Sequence, residues 1–328
     1  MNGKTAVVTG ACGFIGSHLA EELVRRGAHV KALALYDARG ARGWLDQIDP
    51  ALAREMELIS GDVRDAEQMR RLIRKDDVVF HLAALIGIPY SYIAPRSYVQ
   101  TNIEGTLNIL EAAREAGAAR VMNMSTSEVY GSALRVPIDE DHPLQGQSPY
   151  SASKIGAEKM TESYVKSFSL PAVTVRAFNT FGPRQSPRAV IPTILMQLLA
   201  GEKELHLGNL HSTRDFNFVA DTVEGLIRLA SCEAAIGRAV NIGTGAEITI
   251  AQLAEAAQRA VGHTASIIEK QDRMRPEQSE VQRLCADASL LHSLTGWTPP
   301  PRLEEGLRLT ATWMKTELNR YEPQRYYV

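Results

Sequence analysis

The sequence predicts an α/β protein: a doubly wound parallel sheet followed by a smaller C-terminal α/β lobe. Three observations predict it. Short β-rich runs alternate with longer helical patterns through the first half of the chain. Runs such as Val78-Val79-Phe80 are apolar at consecutive positions, as a strand covered by helices on both faces requires. A glycine-rich turn joins the first run to the first helical pattern. At 328 residues the chain can bury a full core and fill two lobes.

The elements follow in order. A strand at 6–9 is bounded by Gly10 and leads into an apolar helix over 15–26. Strands at 30–35, 57–60, 78–81, 120–124 and 172–176 alternate with helical segments over 66–74, 98–116 and 151–167. Strands separated by helices connect through right-handed crossovers and lie parallel. Residues 179–189 are rich in Pro, Gly and Arg and read as a loop. Residues 190–200 read as a helix, and 216–219 and 239–242 as short strands that rejoin the large sheet. Helices over 250–261 and 303–318 complete the smaller lobe, and 320–328 reads as a surface tail. The expected lobes are 1–177 and 178–328, with returning segments near 214–243.

Composition excludes several function classes. A formal net charge of −2 argues against a nucleic-acid or acidic-membrane partner. No apolar stretch approaches the roughly 18 residues that span a bilayer. Cys12, Cys232 and Cys285 are widely spaced, without a metal-type pair, and read as free thiols in a reducing compartment. No signal peptide is visible, so the expected compartment is the cytoplasm.

Gly10-Ala11-Cys12-Gly13-Phe14-Ile15-Gly16 carries the first chemical signal. The glycines let backbone turn tightly against a pyrophosphate, and the helix start at Phe14 and Ile15 offers N–H donors. The spacing is G-x-x-G-x-x-G rather than the commoner G-x-G-x-x-G. The acid expected to take the ribose hydroxyls of NAD is Asp37, which reads equally as a turn residue. Arg39 and Arg42 lie close enough to meet a 2′-phosphate instead, so NAD is favoured and NADP stays open. Asp62, before Val63, is suited to the adenine amine or to capping the next helix. Leu82-Ala83-Ala84 puts small side chains where backbone lies against a cofactor.

Tyr150 and Lys154 are four apart and share a helix face. A tyrosine pKa of about 10 makes a poor base at neutral pH, and lowering it by about 3 units takes about 4 kcal/mol. A nearby ammonium favours the phenolate. Such a tyrosine takes a proton from an alcohol while hydride leaves the same carbon.

The glycine loop, His81-Leu82-Ala83-Ala84, Thr101-Asn102-x-x-Gly105-Thr106, the 125–131 segment, Tyr150-x-x-x-Lys154 and Arg176-x-x-Asn179-x-x-Gly182-Pro183 occur in one family's order. Over essentially its whole length the chain resembles an extended short-chain dehydrogenase/reductase of the nucleotide-sugar epimerase/dehydratase group. The resemblance implies a Rossmann domain binding NAD(P), with Asn102 among the cofactor contacts, and a second lobe binding a nucleoside diphosphate sugar. It also implies a homodimer through helices at 98–116 and 151–167. Their apolar positions Val99, Ile103, Leu107 and Leu110 serve an interface or an ordinary core equally well.

The segment Ser125-Thr126-Ser127-Glu128 decides the expected reaction. A 4-epimerase has no evident use for the carboxylate, whereas a 4,6-dehydratase needs a base at C5 and an acid at C6. The familiar hexose dehydratases carry Thr-Asp-Glu here. The Thr-Ser-Glu of this chain is similar to the GDP-mannose type, in which one glutamate serves as base and acid. The resemblance assigns Thr126 to polarise the C4 oxygen and Tyr150 as base. Lys154 lowers its pKa and binds ribose, Glu128 acts at C5 and C6, and Ser127 orients the C6 hydroxyl. The same string resembles UDP-glucuronate decarboxylases, and Arg214 does not discriminate. Residues 85–91, 143–150 and 188–193 look like dehydratases of the legionaminic-acid type, acting on GDP- or UDP-linked N-acetylglucosamine. Ile86 and Ser91 are then sugar contacts, Val190 lies beside the substrate, and Asn179, Arg184, Arg188, Arg214 and Arg275 are candidates for the diphosphate and nucleotide. A non-catalytic NAD-sensing regulator on the same fold is the contrasting class.

Overall fold

The structure, a computed structural model, describes residues 1–273 and 280–320. Six β-rich runs become β1 (Thr5–Thr9), β2 (His29–Leu35), β3 (Met56–Gly61), β4 (Val78–His81), β5 (Arg120–Thr126) and β6 (Ala172–Ala177). The helices between them are α1 (Phe14–Arg25), α2 (Pro50–Arg54), α3 (Ala66–Leu72), α4 (Ile88–Ile93), α5 (Pro95–Tyr98), α6 (Gly105–Ala116) and α7 (Pro149–Phe168). Residues Val99–Glu104 form a wide π turn that leads into α6. The second half supplies β7 (Asn179–Phe181), α8 (Val190–Leu199), β8 (Glu204–Leu207), β9 (Thr213–Phe218), α9 (Val219–Ala230) and β10 (Ala239–Ile242). It ends with β11 (Glu247–Thr249), α10 (Ile250–Val261), β12 (Ser266–Glu269), β13 (Arg283–Leu284), α11 (Ser289–Thr295) and α12 (Leu303–Glu317).

The large sheet has seven parallel strands in the order β10-β6-β5-β4-β1-β2-β3. The chain winds outward from β1 in one direction, then returns to β4 and winds in the other. The carboxyl ends of β1 and β4 therefore flank a crevice at the switch point, where open α/β sheets bind ligands. Helices cover both faces. Leu19, Leu23, Met122, Val223 and Leu226 fill one side, and Met69, Ile73, Ile109, Leu110 and Tyr164 the other. Burying each such side chain contributes about 1.5–3 kcal/mol. A separate cluster around Phe181, Leu195, Phe216, Phe218, Leu253, Leu307 and Met314 holds α8, α10 and α12 together.

The predicted strand at 216–219 does not rejoin the large sheet. Residues Thr213–Phe218 form β9, which pairs with β7, β11 and β13. The edge of β6 is taken by β10, as predicted for 239–242. A short apolar run states that it is a strand but not which strand it joins. The predicted loop at 179–189 begins with β7 for the same reason. Helix α7 starts two residues before the predicted position. Pro149 fills its first position, and Ser148 and Ser151 form a reciprocal capping box at 3.1 and 3.0 Å. Asp65, not Asp62, caps α3, accepting from Gln68 N at 3.0 Å. Arg275 and residues 321–328 of the predicted tail lie outside the described residues. Among the described residues no helix is long and apolar enough to cross a membrane.

Candidate functional site

The site is built at the switch point. Gly10 has a φ of +68°, and a Cβ there would lie 2.7 Å from Ala83 N. A Cβ on Gly16 would lie 2.2 Å from Gly10 O, so α1 rests directly on the loop backbone. Gly13 begins α1 with no side-chain cap, and the first turn carries no acidic residue. Phe14 and Ile15 lean toward the second cluster. The helix start thus presents N–H groups and its positive end without a competing side chain, an arrangement that fits the pyrophosphate of a dinucleotide.

Behind this cradle, the loop after β4 is fixed by a proton chain. Thr106 Oγ1 donates to Asn102 O at 2.6 Å, so it accepts from His81 Nε2 at 3.0 Å. His81 Nδ1 then accepts from Thr9 Oγ1 at 2.9 Å, and Thr9 Oγ1 accepts from Leu82 N and Ala83 N at 3.2 Å. Burial lowers the His81 pKa to about 3, so the ring is neutral, as this chain requires. Asn102 has a different employment from the predicted cofactor contact. It is fully buried, it donates to Leu85 O and Ser153 Oγ, and it accepts from Leu85 N, each at 2.9 Å. Both amide hydrogens are used in holding Leu85 against α7.

At the ends of β2 and β3, each predicted charge has a local partner. Asp37 accepts from Arg39 N at 2.7 Å and from its guanidinium, which holds the carboxyl below its usual range. Arg42 pairs with Asp46 at 2.9 Å. Both arginines weighed for a 2′-phosphate therefore already hold carboxylates. Asp62 pairs with Arg64 at 2.5 Å. Val63 is buried beneath Gly105.

The chemistry-bearing groups converge where β5 ends and α7 begins. Thr126 Oγ1 accepts from Glu128 N at 3.2 Å, folding Ser127–Tyr130 into one 3₁₀ turn. Tyr150, the second residue of α7, hydrogen-bonds with Thr126 and feels the charge of Glu128. Tyr98 packs edge-on against the Tyr150 ring, with centroids 6.3 Å apart. Ser127 is buried beside them. Lys154 is buried one turn after Tyr150, and its Nζ donates to Met124 O at 2.6 Å.

One expectation is reversed. Burial dominates at Tyr150 and pushes the phenol up, with Glu128 and Tyr98 adding to it and only the Thr126 hydrogen bond opposing. The resting tyrosine is protonated. Burial lowers Lys154 to about 8, with Glu158 opposing. Lys154 is committed to the Met124 carbonyl rather than to the phenol.

The predicted sugar and nucleotide contacts divide. Ile86 is exposed on the loop before α4. Ser91 is fully buried and donates to Ile88 O at 2.6 Å, so its hydroxyl faces its own helix rather than a ligand. Arg188 reaches the same loop: a Cβ on Gly87 would lie 3.1 Å from its Nη1. Tyr98 donates to Gly87 O at 2.5 Å, tying this loop to the Tyr150 environment. Asn179 opens β7, and its buried Oδ1 has no hydrogen-bond partner among the described residues. Val190 is the first residue of α8 and packs on the second cluster. Arg214 donates to Thr213 O at 2.8 Å and pairs with Glu280 at 3.4 Å. Arg184 has a carboxylate partner in the first lobe. It adopts a φ of +70° and pairs with the buried Glu21 of α1 at 2.8 Å. His18 of α1, kept neutral by burial at about 4, bonds Pro183 O at 3.0 Å beside it.

Two surrounding groups are given no role in the sequence reading, Tyr98 and the buried Glu158–Arg176 pair (2.8 Å) behind Lys154. Spacing alone could have found Glu158, four residues after Lys154 on the same helix face.

Known proteins share this architecture. The family profile of GDP-mannose 4,6 dehydratase matches residues 7–310. The dTDP-D-glucose 4,6-dehydratase of Mus musculus is 30% identical over 97% of this chain and 91% of its own length. The UDP-N-acetyl-alpha-D-glucosaminuronate decarboxylase of Bacillus cytotoxicus is 32% identical over 95% of this chain and 98% of its own. A solved UDP-glucuronic acid 4-epimerase of Bacillus cereus, in complex with UDP-glucuronic acid and NAD, superposes with a TM-score of 0.84. It is 27% identical and covers 95% of this chain and 99% of its own.

Proposed function

The chain belongs to the GDP-mannose 4,6-dehydratase family of NAD-dependent epimerases and dehydratases, and on that premise we propose that it is a nucleotide-sugar 4,6-dehydratase. One observation carries the reading. Glu128 stands on the 3₁₀ turn that Thr126 caps, close enough for its charge to act on Tyr150. Dehydration needs a carboxylate that reaches C5 and C6 while a tyrosine works at C4. Epimerisation at C4 leaves that carboxylate idle.

NAD is the proposed cofactor, held by the Gly10–Gly16 loop, the N–H groups of Phe14 and Ile15, Asp62 with Val63, Leu82-Ala83-Ala84, and Lys154 at ribose. When bound it supplies a reversible hydride acceptor. The chain's own groups do the rest. Thr126 holds the C4 oxygen. Tyr150, protonated at rest, takes the C4 hydroxyl proton only after its own proton has left to solvent; its phenolate is then stabilised by Thr126, by the positive start of α7 and by the charge of Lys154 acting from the Met124 carbonyl. The resulting C4 ketone acidifies the C5 proton. Glu128 removes it, then returns a proton to the departing C6 hydroxyl, so that water leaves. Ser127 orients that hydroxyl. The substrate is a nucleoside diphosphate N-acetylhexosamine, with Asn179, Arg188 and Arg214 toward its polar groups. The unpartnered Asn179 Oδ1 suits a ligand hydroxyl or amide N–H. We place the cofactor lobe at 1–177 with the return near 239–242, and the substrate lobe at 178–328. A homodimer is proposed through exposed Val99 and half-buried Ile103 and Leu107, whereas Leu110 is core.

A panel of nucleotide-sugars followed by product mass tests the reading. Loss of water supports it, loss of carbon dioxide overturns it for decarboxylation, and an isomer of unchanged mass overturns it for epimerisation. Glu128→Gln is expected to build up reduced nicotinamide without water loss. Normal turnover in that variant removes the role given to Glu128.

A further inference from the structure

Below the reacting groups lies a buried polar network that the proposed chemistry does not use. Glu158 is 4% exposed and Arg176 6%. The guanidinium binds the carboxylate through Nε at 3.1 and 3.2 Å and through Nη2 at 2.8 Å. Each partner also holds one end of the segment that carries the chemistry. Ser125 Oγ donates to Glu158 Oε1 at 2.5 Å, and Ser125 immediately precedes Thr126. Arg176 Nη1 donates to the Tyr130 hydroxyl at 3.0 Å, and its guanidinium lies over the Tyr130 ring at 5.0 Å. Tyr130 donates onward to Asn241 Oδ1 of β10 at 2.7 Å. Thr126, Ser127 and Glu128 are thus suspended between two fixed points, both belonging to one ion pair.

The same carboxylate faces Lys154. Positions 154 and 158 share a face of α7, and the two charges interact. His81 of β4 also faces Lys154 and is neutral. From β5 comes only the Met124 carbonyl. Glu158 is therefore the one acidic group among these neighbours.

We propose that Glu158 and Arg176 are positioning residues: they clamp both ends of the 125–130 segment, and Glu158 supplies the counter-charge that keeps Lys154 an ammonium. The kinetic consequence rests on the proposed function, while the charge relation stands independently of the reaction. Glu158 opposes the burial that lowers Lys154 to about 8. Removing its charge lowers the lysine further, and the uncompensated Arg176 acts in the same direction.

The test uses Glu158→Gln and Ser125→Ala in the full chain. In the pH–rate profile for whichever nucleotide-sugar the parent turns over, Glu158→Gln is expected to move the alkaline limb to lower pH by about one unit. Ser125→Ala frees one end of the segment but keeps the ion pair, so kcat falls about tenfold or more with the limb in place. A limb unmoved in Glu158→Gln overturns the counter-charge, and an unchanged kcat in Ser125→Ala overturns the clamp. A second readout needs no substrate. Lys154 has a depressed folded pKa, so relative to Lys154→Met the parent gains thermal stability as pH rises from about 8 toward 10.5. In the Glu158→Gln background this gain is expected to begin at lower pH, and an unchanged onset refutes the charge relation even if no substrate is found. If Glu158→Gln does not fold, Glu158→Asp withdraws the charge partway, with a smaller shift of the same sign expected and no shift overturning the proposal.

Discussion

Gly16→Ala puts a methyl group where the structure leaves no room. Its Cβ would lie 2.2 Å from Gly10 O, 2.9 Å from Gly10 C and 3.0 Å from Ala11 Cα, all backbone of the loop. No flexible side chain can yield, so helix and loop must part by roughly 1 Å to restore ordinary contact. The Gly10 carbonyl under pressure also accepts from Gly13 N at 3.0 Å, the bond that closes the turn. Such overpacking costs about 1–3 kcal/mol of stability. It also swings the first-turn N–H groups away from a bound pyrophosphate. Losing one charge-assisted hydrogen bond at about 1.5–3 kcal/mol weakens binding roughly ten- to hundredfold. Isothermal titration of NAD into nucleotide-stripped protein reads this directly, with far-UV circular dichroism to confirm the fold. Gly262→Ala is the control: its φ is +76° but nothing lies within 4 Å of its Cβ. It should cost about 1–2 kcal/mol of backbone strain and leave NAD affinity unchanged. A folded Gly16→Ala protein that binds NAD with wild-type affinity would refute the assignment of the loop.

Other outcomes follow from the same geometry. Tyr150→Phe should lower kcat by roughly 10²–10⁴-fold with NAD affinity retained, measured by product formation and titration. Activity should fall as pH rises through about 8, where Lys154 loses its proton, and a profile flat to pH 10 would contradict that need for the ammonium. Arg184→Ala strands the buried Glu21 carboxylate and should cost about 3 kcal/mol in thermal denaturation. Arg184→Gly should cost less, because it relieves the left-handed backbone at φ +70°. Asp221 is buried and raised to about 6, with Arg302 opposing and Glu305 and Glu224 adding to the rise. Its folded pKa exceeds the unfolded one, so its contribution is fully present below about pH 4 and is lost as pH rises through 6. Asp221→Asn should therefore stabilise the protein at pH 7 relative to pH 4, and equal melting shifts at both would argue against it.

Local signals made the large sheet legible. The runs at β1 to β6 are short, apolar and separated by helices, and that pattern has one common solution. The glycine loop was legible because its geometry is local, needing only the turn and the helix start. What escaped depends on partners distant in the chain. The run around Phe216 reads as a strand, but its place beside β7 depends on residues 35 or more positions away. The partner of Arg184 could not be read either: the fold sets Glu21 beside it, 163 residues earlier in the chain. Spacing brought Tyr150 and Lys154 together correctly, yet spacing cannot report desolvation. Burial leaves the phenol protonated and the lysine weakened, the opposite balance from an exposed pair. Glu128 lies on the turn that Thr126 caps because that turn follows β5 directly, so its neighbourhood could be read from sequence and its exact partners could not.

Trp44 follows Gly43 on a turn whose backbone N donates to the Cys12 carbonyl of the glycine loop at 3.0 Å. Trp313 sits on α12, in the cluster built by the second half of the chain, and the two rings meet edge-on at 5.4 Å. Two indoles at that separation couple their electronic transitions. The far-ultraviolet dichroism of the protein should therefore carry an exciton couplet from the strong indole band that vanishes in Trp44→Phe or Trp313→Phe. The spacing of the two halves of the molecule is written into its optical activity, where it can be followed without any label.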